Sequence, residues 1–242
     1  MNDNINEKIN ALLKYDTPTI TNVVATYPKS EEFCMGLYSP WYTNWYTDDS
    51  VRCIFPEYGR RAGYAVTAVY GLPDPEFNRL NLGDVLKALD EAPKPTVLVV
   101  QQKLPEEQKH KNGLSGGLMT AALSKVGCVG FVSDGPSRDL DEMRGMGVQY
   151  ILSGLTVAHG ELGVLAVNVP VSVAGMDVNP GEIIHMDESG ACKFPANKLD
   201  EVLVKAELLV TDEKRQFREI ENSKSVDDVI RALNLQKGGK AR

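Results

Sequence analysis

Residues 130–139 read Gly130-Phe131-Val132-Ser133-Asp134-Gly135-Pro136-Ser137-Arg138-Asp139. The apolar start of this stretch is typical of a buried strand, and the acidic, glycine and proline residues that follow are typical of a tight turn. The turn places a cationic and an acidic side chain next to each other, at Arg138 and Asp139. We therefore predict a strand that ends in a functional site at this pair.

The chemistry of the pair suits a substrate that contains a 2-oxo acid. Arginine offers a planar fork of donors for a carboxylate or an enolate oxygen, and aspartate binds hard cations such as Mg²⁺ through oxygen. The alternative is an Arg-Asp pair on a solvated surface, next to an ordinary turn. Spacing alone leaves both interpretations open.

A second glycine-rich stretch lies upstream. It reads Gly113-Leu114-Ser115-Gly116-Gly117-Leu118-Met119 and leads into a helical pattern over residues 120–126. Backbone amides at a helix N-terminus bind anions because these N–H groups have no partner within the helix. The two stretches therefore predict two halves of one pocket, on either side of a single helix.

Three motifs follow one another along the chain. They are the glycine-rich helix start, G-x-x-G-x-V-x-D-G-x-x-R-D at residues 127–139, and P-V-x-x-x-G-x-x-V-x-P-G-E at residues 170–182. In these motifs, residues 116–195 resemble the family that contains the regulator of ribonuclease activity A (RraA) and the 4-hydroxy-4-methyl-2-oxoglutarate aldolases. Weaker similarity extends to residues 16–20 and 61–67. Ordered motifs over most of the chain are far more specific than a lone Arg-Asp pair.

The order of elements indicates a mixed α/β domain. Periodicity predicts helices over residues 5–15, 19–27, 82–89, 120–125, 141–145 and 197–220. It predicts strands over residues 63–70, 96–101, 130–133, 150–152, 163–169, 171–173, 182–186 and 191–194. The resemblance implies a compact αββα arrangement of the swivelling type, with mixed sheets and flanking helices. It also implies a homotrimer or homohexamer with pockets at subunit boundaries.

We expect three parts along the chain. Residues 1–60 form N-terminal helices and an aromatic-rich insert packed on the main domain, residues 61–196 form the α/β core, and residues 197–242 form a C-terminal helix with a frayed tail at 234–242. The insert, residues 33–46, either lines a ligand pocket or subunit interface or covers a core edge. We favour the first interpretation because rigid rings supply contact area at low entropic cost. Its rings belong to Phe33, Tyr38, Trp41, Tyr42, Trp45 and Tyr46.

The resemblance also implies roles for the site residues. Asp139 becomes the ligand of Mg²⁺ or Mn²⁺, and Arg138 steadies an oxyanion. The 2-oxo acid carboxylate would bind the backbone of Gly116, Gly117, Leu118 and Met119, with the last two side chains in the core. Cleaving a C–C bond beta to a ketone leaves an enolate, which a Lewis acid and a guanidinium stabilise. The implied function is a metal-dependent lyase, of the 4-hydroxy-2-oxo acid aldolase or oxaloacetate decarboxylase type, that gives pyruvate.

The chain departs from the aldolase pattern at Gly117, where those enzymes carry an acidic residue that orients a water for proton transfer. Glu213 corresponds to a second acid, contributed by the C-terminal helix of an adjacent subunit. His159 either replaces the missing group, because imidazole titrates near neutrality, or is a surface loop residue. Asp134 either transfers a proton or, as we favour, caps and shapes its turn.

This departure keeps two other functions open. One is a non-catalytic regulatory binding protein, similar to the ribonuclease regulator, whose oligomer surface engages a protein partner. The other is a different reaction of a carbonyl acid on the same scaffold, with the aromatic insert and His159 reshaping the pocket.

Composition sets broad bounds. The chain has 242 residues, of which 43% are hydrophobic, enough for a substantial core. A net charge of −7 argues against a nucleic-acid surface, which draws on clustered Lys and Arg. The start lacks a basic region followed by an apolar one, and no run approaches membrane-spanning length. We expect a cytoplasmic protein without membrane or nucleic-acid partners. Buried free thiols are expected of Cys34, Cys53, Cys128 and Cys192, which lack metal-ligand spacing.

Overall fold

The computed structural model describes residues 2–27, 31–39, 41–76 and 80–233, with the backbone alone for residues 2–5. The described chain has a mixed α/β fold in which a large mixed sheet is flanked by helices, as the sequence predicts. The predicted frayed tail at residues 234–242 lies outside the described residues.

The helices and strands appear in the following order. The helices are α1 (Asn2–Leu12), α2 (Thr17–Val24), α3 (Leu82–Glu91), α4 (Glu106–Lys109), α5 (Gly117–Lys125), α6 (Leu140–Met143), α7 (Leu199–Glu221) and α8 (Val226–Ala232). The strands are β1 (Arg52–Cys53), β2 (Arg61–Gly71), β3 (Thr96–Lys103), β4 (Cys128–Ser133), β5 (Pro136–Ser137), β6 (Gln149–Leu152), β7 (Gly154–Leu155), β8 (Gly163–Val167), β9 (Val171–Val173), β10 (Met176–Val178), β11 (Ile183–Asp187) and β12 (Gly190–Phe194). Within the described ranges, no helix combines the length and the apolar composition that crossing a bilayer requires.

Parallel strands form the centre of the main sheet. Its order is β1-β6-β4-β3-β2-β11-β12, and the pairs β2–β3, β3–β4 and β4–β6 are parallel. The outer edge of β2 is shared, because its first residues pair with β11 and its last residues pair with β8. The carboxyl ends of parallel strands meet at one edge, where open α/β sheets bind their ligands. The segments after β2, β3 and β4 therefore meet at this edge.

The sheet is buried on both faces. Side chains alternate along a strand, so Leu98 of β3 packs with Phe131 and Tyr150 on the face that α3 and α5 cover. Val99 packs on the opposite face, under the β9–β10 hairpin. Strands buried on both faces read as continuous apolar runs, which explains why the sequence predicts β3 and β4 correctly.

The N-terminal helices pack with the long C-terminal helix. Asp16 caps α2 by accepting a hydrogen bond from the Thr19 amide at 2.8 Å, and proline lies in the first turn, where it needs no N–H partner. Ile9 of α1, Ile20 of α2 and Val202 of α7 belong to one buried cluster that also contains residues of β11 and β12. Helices from both ends of the chain thus share a core with the sheet.

The aromatic insert divides between core and surface. Trp45 is buried and stacks on Tyr38 with ring centroids 5.3 Å apart, and Tyr46 meets Trp45 edge-on at 4.8 Å. Trp41 and Tyr42 are exposed. None of the described insert residues lines the cleft at the carboxyl edge of the parallel strands. The insert therefore forms no lid over this cleft, and four of its six rings, Phe33, Tyr38, Trp45 and Tyr46, pack in the cluster that contains residues of α2 and β12. The expectation of a subunit interface stays a prediction.

The predicted elements are confirmed with small shifts at their ends. The helix expected at residues 19–27 is α2, which begins earlier because Asp16 is its cap. The sequence missed α4, α8, β1, β5, β7 and β10. Most of these span two to four residues, too few for a periodic pattern to register.

The four cysteines form no disulfide with one another, as predicted. Cys128 and Cys192 are buried, and burial raises the pKa of Cys128 to about 11. Cys34 and Cys53 are only half-buried, so the expectation of burial was wrong for these two.

A buried histidine lies where the N-terminal helices meet β11. His185 is fully buried in β11, with Nδ1 2.9 Å from the Thr17 hydroxyl and Nε2 3.3 Å from the Leu12 carbonyl oxygen. Burial lowers the pKa of His185 to about 4, and the nearby Asp187 opposes this only in part. The interior therefore holds a neutral imidazole.

We expect stability to fall as the pH falls from about 6.5 to about 4. Over that range His185 of the unfolded chain, whose pKa is near 6.5, binds a proton, whereas His185 of the folded protein does not. This difference lowers the free energy of unfolding by about 1.4 kcal/mol per pH unit. Urea denaturation at pH 7.5 and pH 5 measures this change. His185→Gln should show a flatter pH dependence, and equal slopes for both proteins would contradict the assignment.

Candidate active site

A cleft lies at the carboxyl edge of the parallel strands. Its volume is about 950 Å³, and both glycine-rich stretches line it. The turn after β4 contributes Arg138 and Asp139, and the start of α5 contributes residues 116–119. The structure thus brings together the two pocket halves that the sequence predicts.

Hydrogen bonds hold the two halves against each other. The Leu114 amide donates to the Pro136 carbonyl oxygen at 2.9 Å, and the Arg138 amide donates to the Ser115 carbonyl oxygen at 3.2 Å. The Ser137 hydroxyl also donates to the Ser115 carbonyl oxygen, at 2.7 Å. The relative position of the Arg-Asp pair and the helix start is therefore fixed by the backbone.

The Arg-Asp pair lies directly over the start of α5. Arg138 Nε is 3.2 Å from Asp139 Oδ2, and the Gly117 amide donates to the same oxygen at 3.4 Å. About a third of each side chain is exposed, 34% for Arg138 and 28% for Asp139. A Cβ atom at Gly116 would overlap Asp139 Oδ2 and lie 3.4 Å from its Cγ, so this position must be glycine for the carboxylate to approach.

Asp139 has an uncommon backbone conformation. Its φ is +60° and its ψ is +40°, in the left-handed region, and its carbonyl oxygen accepts the first hydrogen bonds of α6. Asp is among the few residues other than glycine that adopt this region readily. This conformation turns the chain sharply between β5 and α6 and lays the carboxylate across the helix start.

The first turn of α5 presents its backbone to the cleft. Gly116 is the N-cap and carries no capping side chain. The Gly117 amide donates to Asp139, so the amides of Leu118 and Met119 are the ones available to an anion. Met119 packs against the core, as predicted, but the Leu118 side chain is 90% exposed. The expectation that Leu118 is a core residue was wrong, because in the first turn it points away from the sheet.

A buried tyrosine supports the helix start from below. The Tyr150 hydroxyl lies 2.9 Å from the Ser115 hydroxyl and 2.8 Å from the Thr120 hydroxyl. Thr120 also donates to the Gly116 carbonyl oxygen at 2.8 Å. Burial raises the pKa of Tyr150, so its phenol stays protonated and anchors both ends of the glycine turn to β6.

The remaining predicted residues differ in position. His159 lines the cleft but is exposed, and its Nδ1 lies 3.3 Å from the Gly160 carbonyl oxygen. Asp134 is absent from the cleft lining and accepts a hydrogen bond from the Gln102 amide at 3.2 Å, so its side chain links the turn to β3. Burial raises the pKa of Asp134. Glu213 lies on α7, outside the cleft lining of this single chain.

The sequence missed one acidic residue of the cleft. Glu142 lies in α6, three residues after Asp139, and lines the cleft beside it. Residues three apart share a helix face, and this spacing is the signal that could have found Glu142.

Comparisons with known proteins identify the family of the chain. A sequence model described as "RraA-like: Aldolase/RraA" matches residues 43–192, well over half of the chain. A protein of Halalkalibacterium halodurans, named "Putative 4-hydroxy-4-methyl-2-oxoglutarate aldolase", is 29% identical over 140 residues. The match covers 57% of this chain and 65% of that protein, so the chain spans less than two thirds of its length.

Solved structures share the fold. An uncharacterized protein from Pseudomonas syringae pv. tomato has a TM-score of 0.68 at 18% identity, over 93% of this chain and 92% of that one. RraAS2 of Streptomyces coelicolor, described as an unusual member of the RNase ES inhibitor RraA protein family, has a TM-score of 0.63 at 23% identity, over 88% and 95%. The matching sequence model and the shared fold together establish that the chain belongs to the RraA-like family.

Proposed function

We propose that this protein is a divalent-metal-dependent lyase that cleaves a C–C bond of a 2-oxo acid and gives pyruvate. The observation that carries the proposal is the position of Arg138 and Asp139 over the start of α5, in one cleft. A guanidinium, a carboxylate and unpaired backbone amides converge there, and each suits one part of a 2-oxo acid and its cation.

The donor set fits Mg²⁺ or Mn²⁺ bound mainly through water and substrate. Mg²⁺ takes one or two carboxylates and keeps several waters, and the partly exposed Asp139 carboxylate is such a ligand. Among the described residues, no three Asp, Glu, His or Cys side chains converge as an all-protein metal cage would require. A site of this kind would gain oxygen ligands from the substrate. When bound, the cation would act as a Lewis acid toward the ketone.

The chain's own groups would orient the substrate. The amides of Leu118 and Met119 would hold the carboxylate at the positive end of α5, next to the Gly117 amide that donates to Asp139. Arg138 would donate to the ketone oxygen, where negative charge develops when the neighbouring C–C bond breaks. Because these donors are fixed by the hydrogen bonds between the two turns, little reorganisation would accompany the reaction.

The assembly is part of the same proposal. A homotrimer or homohexamer would close the open side of the cleft with an adjacent subunit. Glu213, half-buried on α7, would then be the acidic residue that α7 of one subunit contributes to the next. The name of the Halalkalibacterium relative supports the aldolase type of reaction.

Pyruvate release tests the proposal. With Mg²⁺ or Mn²⁺ present, we expect the purified protein to release pyruvate from 4-hydroxy-4-methyl-2-oxoglutarate or from oxaloacetate, measured by a coupled lactate dehydrogenase assay. Chelation should abolish the release, and added cation should restore it. Release that continues at the same rate in a chelator would contradict the proposal.

Gly117 favours one second candidate, a regulatory binding protein without turnover. A glycine at this position removes the acid that the resemblance leads us to expect there. A protein of this kind would form a stable complex with a protein partner and release no pyruvate with any cation. Robust turnover without a stable partner in pulldown would decide against it.

A further inference from the structure

Gly117 leaves space that another carboxylate fills. A Cβ atom at Gly117 would overlap Glu142 Oε2 and would lie 2.9 Å from Glu142 Cβ and 3.0 Å from its carboxyl carbon. The backbone of Gly117 is helical, so its φ does not require glycine. The glycine is needed for space, and the group that uses the space is the side chain of Glu142.

Two consecutive glycines thus accommodate two carboxylates. Gly116 lies beneath Asp139, and Gly117 lies beneath Glu142. The Glu142 amide donates to the Asp139 carbonyl oxygen at 3.0 Å, so the backbone fixes the spacing of the two acids. Asp141, between them, does not line this cleft and instead lines an adjoining cavity that also touches Asp139 and Glu142.

The two carboxylates differ in their partners. Asp139 is engaged by Arg138 Nε and by the Gly117 amide. Glu142 is exposed to solvent at the cleft wall, next to the positions assigned above to the substrate carboxylate. A carboxylate placed there can accept a hydrogen bond from a hydroxyl group on the substrate.

We propose that Glu142 takes the 4-hydroxyl proton of the substrate, which makes the cleft selective for 4-hydroxy-2-oxo acids over 3-carboxy-2-oxo acids such as oxaloacetate. This inference rests on the lyase function proposed above. The Glu142 carboxylate removes the hydroxyl proton, the O–H electrons form the C4 carbonyl, and the C3–C4 bond breaks. The bond electrons become the enolate of pyruvate, and the proton on Glu142 then passes to C3, which restores the carboxylate.

Selectivity follows from the difference between the two reactions. Loss of carbon dioxide from oxaloacetate removes no hydroxyl proton, and water can protonate the enolate afterwards. Aldol cleavage cannot proceed while the hydroxyl keeps its proton.

Glu142→Gln tests the proposal with two substrates. Removing a general base typically costs about 10² to 10⁴ in rate, so we expect at least a hundredfold fall in kcat for 4-hydroxy-4-methyl-2-oxoglutarate. Oxaloacetate decarboxylation should change by less than about fivefold, because Glu142 makes no required interaction in that reaction. Asp141→Asn, an equivalent change at the adjacent residue outside the cleft lining, should leave both rates unchanged.

A rescue variant and a binding measurement complete the test. An aspartate at position 117 would direct its carboxylate into the space of Glu142, and glycine at position 142 would remove the Cβ atom that a Cβ at position 117 would otherwise meet at 2.9 Å. Gly117→Asp combined with Glu142→Gly should therefore regain part of the aldol activity that Glu142→Gly alone loses. Calorimetry should give the same affinity of Mg²⁺ and oxalate for the wild type and for Glu142→Gln.

The outcomes separate this inference from the lyase proposal. Equal loss of both reactions in Glu142→Gln, or loss of oxalate binding, would overturn the role of Glu142 and leave the lyase function standing. If the wild-type protein decarboxylates oxaloacetate but cleaves no 4-hydroxy acid, the proposed selectivity is wrong and the lyase function still stands. A wild-type protein that releases no pyruvate from either substrate would reject both proposals.

Discussion

Asp139→Asn should lower pyruvate release about a thousandfold. The substitution keeps the size of the side chain but removes the charge that would hold the cation, and losing about 4 kcal/mol of charge stabilisation corresponds to this factor. Initial rates measured over a range of Mg²⁺ concentrations provide the test. The wild type should saturate, whereas Asp139→Asn should show neither saturation nor rates near those of the wild type.

Asp141→Asn is the matched control for this experiment. It changes the same chemical group two residues away, on α6, outside the cleft lining. Saturation by Mg²⁺ should be the same as in the wild type. If Asp139→Asn keeps its response to Mg²⁺, the cation binds elsewhere and the assignment of Asp139 as its ligand is wrong.

Phe131→Ala should lower the free energy of unfolding by about 3 to 5 kcal/mol. Phe131 is fully buried in β4 and stacks on Tyr150 with ring centroids 5.0 Å apart. Alanine would leave a cavity beneath the tyrosine that anchors the glycine turn. Equilibrium denaturation in urea measures the loss, which is a large fraction of the stability of a typical domain.

Phe217→Ala makes the same chemical change on the surface. Phe217 is 65% exposed on α7, so its removal should cost less than about 0.5 kcal/mol. A similar loss in both variants would contradict the central position of Phe131 in the core.

The fold was largely predictable because its signals are local. The strands β3 and β4 are buried on both faces and read as apolar runs in the sequence. The aromatic insert lacks such a period, so nothing in its sequence distinguishes the buried Trp45 from the exposed Trp41. Its division between core and surface depends on α2 and β12, which are distant in the chain.

The site was predictable in part for the same reason. Arg138 and Asp139 are neighbours at a turn, and the glycines of α5 are consecutive, so each half of the cleft is visible in a few residues. The meeting of Gly117 with Glu142 is a tertiary contact between two helices. Residue types and spacing carry no information about which side chain fills the space above a glycine. The exposure of Leu118 likewise depends on how α5 sits on the sheet.

The left-handed backbone conformation of Asp139 costs stability that glycine at the same position would not cost. A residue with a Cβ atom gives up roughly 1 kcal/mol in this conformation, whereas glycine adopts it freely. Glycine would thus be the more stabilising occupant, but it would carry no carboxylate. Proteins of this fold that no longer need the carboxylate should tend to have glycine at this position of the turn. An acidic residue kept at this position would indicate that the protein still uses the carboxylate.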